Sequence, residues 1–141
     1  MSENKVNFNM VLEELISNFE SEKSEENYKV IIDELISSMD GVHSFYIPMH
    51  LISMGNENKG YLPSTLSASN GKWYYIAFTS DKTGIEAVGN QEATVMQIEN
   101  YLKFIRDSKE AGGLCINPGN EKGVFVPVEL LQQLIPEEVT E

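Results

Sequence analysis

Apolar residues recur at helical spacing in two segments near the N-terminus. In residues 8–19 they return at intervals of three and four, and residues 28–39 repeat that spacing. We therefore expect two amphipathic helices packed as one antiparallel hairpin. Asn7 is the expected N-cap of the first helix and Ser24 that of the second, which Gly41 is expected to end.

From Val42 the apolar residues alternate with a period of two, which is typical of strands. Three strands are predicted, over residues 42–47, 60–66 and 72–79. We expect Pro48 to end the first strand and the polar residues 50–60 to form a loop. The dipeptide Asn70-Gly71 predicts a type I′ hairpin turn.

The C-terminal third returns to a helical pattern and then to short strands. Residues 91–107 predict a helix that Gly112-Gly113 stops, whereas residues 83–91 favour no particular element. Two short strands, 114–116 and 123–126, then flank a turn at Asn117-Pro118-Gly119-Asn120. Pro127 is well placed to open a terminal helix.

The predicted order of elements is α-α-β-β-β-α-β-β-α. This order predicts an α+β fold, in which an N-terminal helical hairpin precedes a mixed or antiparallel sheet of about five short strands. Helices pack on that sheet. The length of 141 residues predicts a single domain over 1–141 that ends in an acidic tail at 136–141.

The strand predicted at 72–79 is apolar on both faces. Trp73, Tyr75 and Ala77 alternate with Tyr74, Ile76 and Phe78. This pattern indicates either a central strand covered on both sides or a strand that leaves one aromatic face for a partner.

The chain is strongly acidic. Twenty-two acidic residues stand against ten basic ones, which gives a formal net charge of −12. Nucleic acid and anionic membranes attract proteins through Lys and Arg, so we expect neither as a partner. The acidic excess of residues 1–40 indicates either a surface for a cationic partner or a solvated face that maintains solubility.

The sequence carries no signs of export or of membrane insertion. Its first residues lack a basic region followed by an apolar one, and no apolar run approaches the length of a membrane span. The single cysteine, Cys115, excludes an intramolecular disulfide. We therefore expect a cytoplasmic protein; the sequence does not indicate its oligomeric state.

Two motifs resemble the N-terminal domain of the SseB family. They are Phe78-Thr79-Ser80 at the end of a strand and the Gly-Leu-Cys-Ile-Asn-Pro-Gly segment at 113–119. The resemblance covers about residues 25–135 and makes 1–24 an N-terminal helical addition. It implies a bacterial cytoplasmic protein without an established enzymatic activity, and it carries over no catalytic or ligand-binding residue.

Catalytic and metal-binding chemistry has little support in the sequence. Cys115 with His43 or His50 would supply a thiol and a base, but Cys115 lies in an apolar strand where cysteine behaves as a small hydrophobe. The two histidines lack the spacing of a zinc site. We expect no catalytic residue, no metal and no cofactor.

The leading hypothesis is a non-enzymatic protein-interaction or adaptor module with an unidentified protein partner. The alternative is a regulatory domain that binds a small polar ligand near Ser80 and Asn117. On this alternative Thr79-Ser80-Asp81 forms a polar site, whereas capping of a helix by Ser80 explains the same residues without a ligand. The candidate surface residues are Trp73, Tyr75, Phe78, Thr79, Ser80, Asn117 and Pro118.

Overall fold

The computed structural model describes residues 7–53, 55, 59–119 and 122–136, and within them the chain has the predicted α+β fold with a helical N-terminus. The helices are α1 (Met10–Ser21), α2 (Glu25–Ser37), α3 (Asp81–Val88), α4 (Ile98–Arg106) and α5 (Val128–Leu134). The strands are β1 (Asn7–Phe8), β2 (His43–Ser53), β3 (Lys59–Pro63), β4 (Thr65–Ser67), β5 (Trp73–Ala77), β6 (Ala93–Gln97), β7 (Gly113–Gly119) and β8 (Lys122–Pro127). The predicted acidic tail lies outside the described residues except for Pro136.

The strands form two four-stranded sheets. In the first sheet, β2 pairs in parallel with β1 and antiparallel with both β6 and β3. The second sheet has the order β4-β5-β7-β8, in which only the β5–β7 pair is parallel. Tyr46 and Phe78 exchange backbone hydrogen bonds of 2.9 and 2.8 Å, and this pair joins the two sheets.

Two apolar clusters cover the opposite faces of β5. The larger cluster packs α1, α2, α4 and α5 against the face that carries Ala77, Leu114 and Ile116. The smaller cluster holds Tyr74, Ile76, Phe78, Tyr46 and Cys115 on the other face. The side chains of β5 are therefore covered on both faces over most of its length, as the first of the two interpretations predicts.

The helical hairpin forms with a different first cap. Leu12 donates its backbone N–H to Asn9 Oδ1 at 3.0 Å, and Asn9 Nδ2 donates to Ser38 Oγ at the end of α2. Asn7, the predicted cap, lies instead in β1, where it pairs with His43 of β2. The first helix therefore starts two residues later than expected. Ser24 caps α2 as predicted, through a bond of 3.1 Å from the N–H of Asn27.

Helix α2 also ends earlier than predicted. Its last residue is Ser37, and Ser38 closes it by donating its hydroxyl to the carbonyl of Glu34 at 2.8 Å. Gly41, the predicted stop, has a left-handed φ of 76° in the turn that leads to β2. The glycine therefore serves the turn and not the end of the helix.

The prediction that Pro48 ends the first strand was wrong. Strand β2 continues to Ser53 and pairs with β3, so much of the predicted 50–60 loop is strand. Proline is tolerated because it lies at a change of partner: Tyr46 bonds to Phe78, whereas the carbonyl of Pro48 accepts from the N–H of Ser64 at 2.8 Å. The missing N–H thus removes little pairing. The strand predicted at 60–66 divides at the same corner into β3 and β4.

The prediction of a helix over 91–107 was wrong for residues 91–97. Residues Ala93–Gln97 form β6 and pair antiparallel with Ser44–Pro48 of β2; α4 begins only at Ile98. The residues of this segment fit a helical pattern and a strand pattern alike. In the strand, Val95 and Met96 lie on opposite faces. Val95 is 41% exposed while Met96 packs on the core. Pairing with β2, which the sequence does not show, decides between them.

The hairpin between β4 and β5 turns at Asn70-Gly71, but not as a type I′ turn. Gly71 has a φ of 82°, whereas Asn70 has a negative φ, so only one of the two central residues is left-handed. Gly71 donates its N–H to the carbonyl of Ala68 at 3.1 Å, and Ala68 donates to Lys72 at 2.8 Å. The result is a three-residue loop with a left-handed glycine at its end.

Candidate functional site

A groove of about 420 Å³ lies at the end of the second sheet where β4 is the outermost strand. We call it the aromatic groove. Its lining consists of aromatic, aliphatic and small hydroxyl side chains from β2, β3, β4 and β5: His50, Leu62, Pro63, Thr65, Ser67, Trp73 and Tyr75. The rings of Trp73 and Tyr75 meet edge to face, with their centroids 5.2 Å apart, and both are half-buried.

The strand register brings these residues together. Thr65 lies directly opposite Tyr75 in the β4–β5 pair, and Ser67 lies opposite Trp73. Residues that are directly opposite in an antiparallel pair project to the same face, so two aromatic rings stand beside two small side chains. The small hydroxyl residues leave space next to the rings, and that space is part of the groove.

Helix α4 covers the inner end of the same face. Tyr101 packs edge to face on Tyr75 at 6.3 Å, and its hydroxyl donates to the carbonyl of Ile76 at 2.9 Å. Phe104, on the outer side of α4, lies 5.2 Å from Tyr75 and is 44% exposed. On the other side of the groove, Leu62 is 46% exposed. An accessible apolar surface thus extends from Leu62 across Trp73 and Tyr75 to Phe104.

The phenol of Tyr75 is neutral at physiological pH. Burial raises its pKa above the ordinary value; a hydrogen bond with the side chain of Ser108 opposes that shift, and the negative charge of Glu110 adds a smaller increase. A neutral phenol is both a donor and an acceptor of hydrogen bonds. One of these two roles is used within the protein by the hydrogen bond with the Ser108 side chain.

The two motifs that resemble the SseB family meet at one place, which we call the Thr79–Asn117 junction. Thr79 donates its backbone N–H to Asn117 Oδ1 at 2.9 Å, and Asn117 Nδ2 donates to Thr79 Oγ1 at 3.1 Å. Thr79 Oγ1 in turn donates to Glu13 Oε2 at 3.1 Å, so α1 joins the junction. The backbone N–H and the hydroxyl of Thr79 are thereby both used within the protein.

Ser80 caps α3, as the capping interpretation predicts. Its hydroxyl accepts from the N–H of Thr83 at 3.1 Å, and the hydroxyl of Thr83 donates to Glu13 Oε1 at 3.2 Å. Ser80 is 7% exposed and Thr79 is fully buried. Neither side chain presents an unused polar group to solvent.

A second groove, of about 600 Å³, lies beside this junction, between α1, α3 and the end of β7. We call it the acidic groove. Its lining includes three carboxylates and the predicted pair Asn117 and Pro118, but not Ser80: Glu13, Ile16, Ser17, Glu20, Thr83, Glu86, Ala87, Asn117, Pro118 and Gly119. Its negative lining disfavours anionic ligands.

Cys115 lies in the smaller apolar cluster, opposite Phe125 in the β7–β8 pair, and is 1% exposed. Burial raises the pKa of its thiol to about 12. The ring of His43 bonds to Asp40 at 2.7 Å, whereas His50 lines the aromatic groove. In the described part of the chain, no histidine bonds to this thiol, and no cluster of three His, Cys, Asp or Glu side chains is arranged to hold a metal ion.

The structure separates the predicted surface residues into three environments. Trp73 and Tyr75 lie in the aromatic groove, and Asn117 and Pro118 line the acidic groove. Phe78 is fully buried between Tyr46 and Gly84, so it contributes no surface. The junction residues Thr79 and Ser80 are buried as well.

Sequence reasoning missed the other side of the aromatic groove, which β2, β3 and β4 supply. His50 lies opposite Leu62 in the β2–β3 pair, but the assignment of residues 50–60 to a loop concealed that pairing. Thr65 and Ser67 were within reach of prediction. The hairpin around Gly71 fixes their register against Tyr75 and Trp73.

No protein-family profile, curated protein or solved structure matches this chain significantly. The resemblance to the SseB family therefore stays a prediction. Among the residues that the structure describes, no helix is both long and apolar enough to cross a membrane.

Proposed function

We propose that this protein is a non-enzymatic interaction module that binds a partner protein at the aromatic groove. The observation that carries the proposal is the half-buried Trp73–Tyr75 pair, which lies in a groove at the end of the sheet face that none of the described helices covers. Tryptophan and tyrosine dominate the energetics of protein interfaces, because they bury a large area and keep a polar group for hydrogen bonding.

The surroundings of the groove support a protein partner. Leu62 and Phe104 are each more than 40% exposed and extend the apolar surface beyond the groove itself. A set of aromatic and aliphatic side chains that adjoins small polar residues resembles the centre of an interface more than a catalytic cleft.

The net charge of −12 favours a partner with a basic surface. Opposite charges accelerate association and disfavour partners of the same sign. On this proposal the groove supplies most of the binding energy, and the acidic surface supplies steering.

The alternative, a small polar ligand near Ser80 and Asn117, has weaker support. The hydroxyls of Thr79 and Ser80 and the amide of Asn117 bond to groups within the protein. A ligand in the adjoining acidic groove would face the carboxylates of Glu20 and Glu86. This alternative predicts that an amine or another cationic metabolite raises the melting temperature by about 3 °C or more.

Affinity capture from a bacterial extract tests the proposal. The baits are the wild type, Leu62→Asp and Ile85→Asp. Leu62 and Ile85 are exposed to similar extents, 46% and 42%, but only Leu62 lines the groove. We expect a protein captured by the wild type and by Ile85→Asp to be lost from Leu62→Asp, and the purified protein to reproduce that difference. Equal recovery by all three baits contradicts the proposal.

A further inference from the structure

Among the residues that the structure describes, β4 is the outermost strand of the second sheet and is paired on one side only. Its neighbour is β5, and the sheet order is β4-β5-β7-β8. The inward bonds are made by alternate residues: the carbonyl of Ser64 accepts from Ile76 at 3.2 Å, and Ala68 donates to Lys72 at 2.8 Å. In an antiparallel pair, the residues between the bonded ones point their N–H and C=O groups the other way. Thr65 and Ser67 therefore direct these groups away from β5.

Pro63 continues this outward edge and limits its length. Ser64 donates its N–H to Pro48 of β2, so the nitrogen of the preceding residue, Pro63, points outward as well. Proline lacks an N–H, which is why edge strands accept it on the solvent side. The usable edge is therefore the short segment Thr65–Ser67, with two N–H and two C=O groups.

This edge borders the aromatic groove. The side chains of Thr65 and Ser67 lie on the same face as Tyr75 and Trp73. A strand added beside β4 would lie about 4.8 Å away. Its alternate side chains would then project over the groove on that same face.

We infer that a basic partner protein binds by adding an extended segment to β4, with an apolar side chain in the aromatic groove. The inference rests on the proposed function and specifies its mode of binding. Backbone hydrogen bonds supply affinity in strand addition, and pockets for alternate side chains supply specificity. The basic character follows from the net charge of −12, which also makes a second copy of this chain a repelled occupant.

A pair of substitutions at one position isolates the backbone bonds. Ser67→Pro removes the outward N–H and leaves the inward bonds of β4 intact, whereas Ser67→Ala removes only the hydroxyl. Peptides selected on the wild type from a phage-displayed library of random 12-residue sequences serve as the probe. Their dissociation constants are then measured on the wild type, Ser67→Ala, Ser67→Pro and Trp73→Ala.

We expect the selected peptides to carry apolar residues at alternate positions and a net positive charge. Ser67→Pro should weaken their binding about fivefold or more, the effect of losing one backbone bond, while Ser67→Ala should change it less than about twofold. N-methylation of successive peptide positions should weaken binding at every second position. Because this scan uses the wild-type protein, it tests strand addition even if Ser67→Pro does not fold.

Three results would contradict strand addition to β4, and they differ in what they imply for the aromatic groove as a binding site. Binding lost in Trp73→Ala but equal in Ser67→Pro and Ser67→Ala, with no period in the N-methyl scan, excludes strand addition and leaves the groove as the site. Failure to select any Trp73-dependent peptide excludes an extended segment, and the capture experiment then judges the proposed function alone. A wild-type dimer in sedimentation that Ser67→Pro converts to monomer assigns the edge to a second copy.

Discussion

The backbone N–H of Thr79 donates to the side-chain oxygen of Asn117 at 2.9 Å, although the two residues are 38 positions apart. The bond connects the segment after β5 to the irregular end of β7, where the register shifts between Ile116 and Gly119. Asn117 has a φ of 55°, a left-handed conformation that asparagine adopts more readily than most residues. Its side chain and its backbone therefore both favour asparagine at this position.

Two substitutions of Asn117 should separate these contributions. We expect Asn117→Ala to lower the free energy of unfolding by about 2–3 kcal/mol, since it removes the bonds to Thr79 and strains the backbone. Asn117→Gly loses the same bonds but relieves the strain, so it should cost about 1 kcal/mol less. Urea denaturation measures both values. Equal losses would show that the backbone conformation contributes nothing.

Gly84→Ala should destabilise the protein even though Gly84 lies inside α3. Alanine normally stabilises a helix by about 1 kcal/mol relative to glycine. Here a Cβ atom at position 84 would lie 2.5 Å from Cδ2 of Tyr46, whose ring is buried. We expect a net loss of about 1–3 kcal/mol in the free energy of unfolding. Lys82→Ala, an exposed substitution in the same helix, should change it by less than about 0.5 kcal/mol. A stabilised Gly84→Ala variant would mean that Tyr46 does not pack on α3 as described.

The thiol of Cys115 should react only when the protein unfolds. It is buried, and its pKa is raised to about 12, so neither access nor thiolate is available near pH 8. We expect no labelling by iodoacetamide in native buffer and complete labelling in concentrated urea, as mass spectrometry would record. Rapid labelling of the folded protein would place this thiol in an accessible site.

The same thiol should contribute to alkaline unfolding. Burial raises the pKa in the folded state above the ordinary value of 9.0, so the contribution is fully present below pH 9 and is lost as the pH rises toward 12. The wild type should therefore lose stability more steeply between pH 9 and 12 than Cys115→Ala does. Parallel curves for the two proteins would contradict this.

Asp40 should titrate at unusually low pH. Its carboxylate accepts from the backbone N–H groups of His43 and Val42, and these bonds lower its pKa to about 2. Because the folded-state pKa lies below the ordinary value of 3.8, the stability that this group contributes is present above about pH 4 and is lost as the pH falls toward 2. Carboxyl NMR measures the pKa directly; a value near 4 would mean that the turn before β2 is not formed.

Local signals in the sequence account for much of the helical part of the fold. Ser24 and Ser80 are caps that can be identified from neighbouring residues alone, and both accept the expected backbone bonds. The strand predicted at 114–116 forms as part of β7, which begins at Gly113 and extends to Gly119, beyond the predicted end. These features depend on interactions within a few residues along the chain.

The features that escaped prediction depend on pairing between distant segments. Strand β6 is a strand because it pairs with β2, some fifty residues earlier. Pro48 is accepted inside β2 because the partner strand changes there. Of the candidate site, Trp73 and Tyr75 were identified from their alternation, but Leu62 and His50 required the β2–β3 pairing.

The dissociation constant of the captured partner for Trp73→Ala tests the central claim most directly. Trp73 is the only tryptophan in the chain, and it lies in the groove against Tyr75. Calorimetry should show binding to Trp73→Ala weakened at least about thirtyfold, which corresponds to the 2 kcal/mol of an interface hot spot, and binding to the control Ile85→Ala unchanged. Wild-type affinity in a folded Trp73→Ala variant would contradict the assignment of this groove as the binding site.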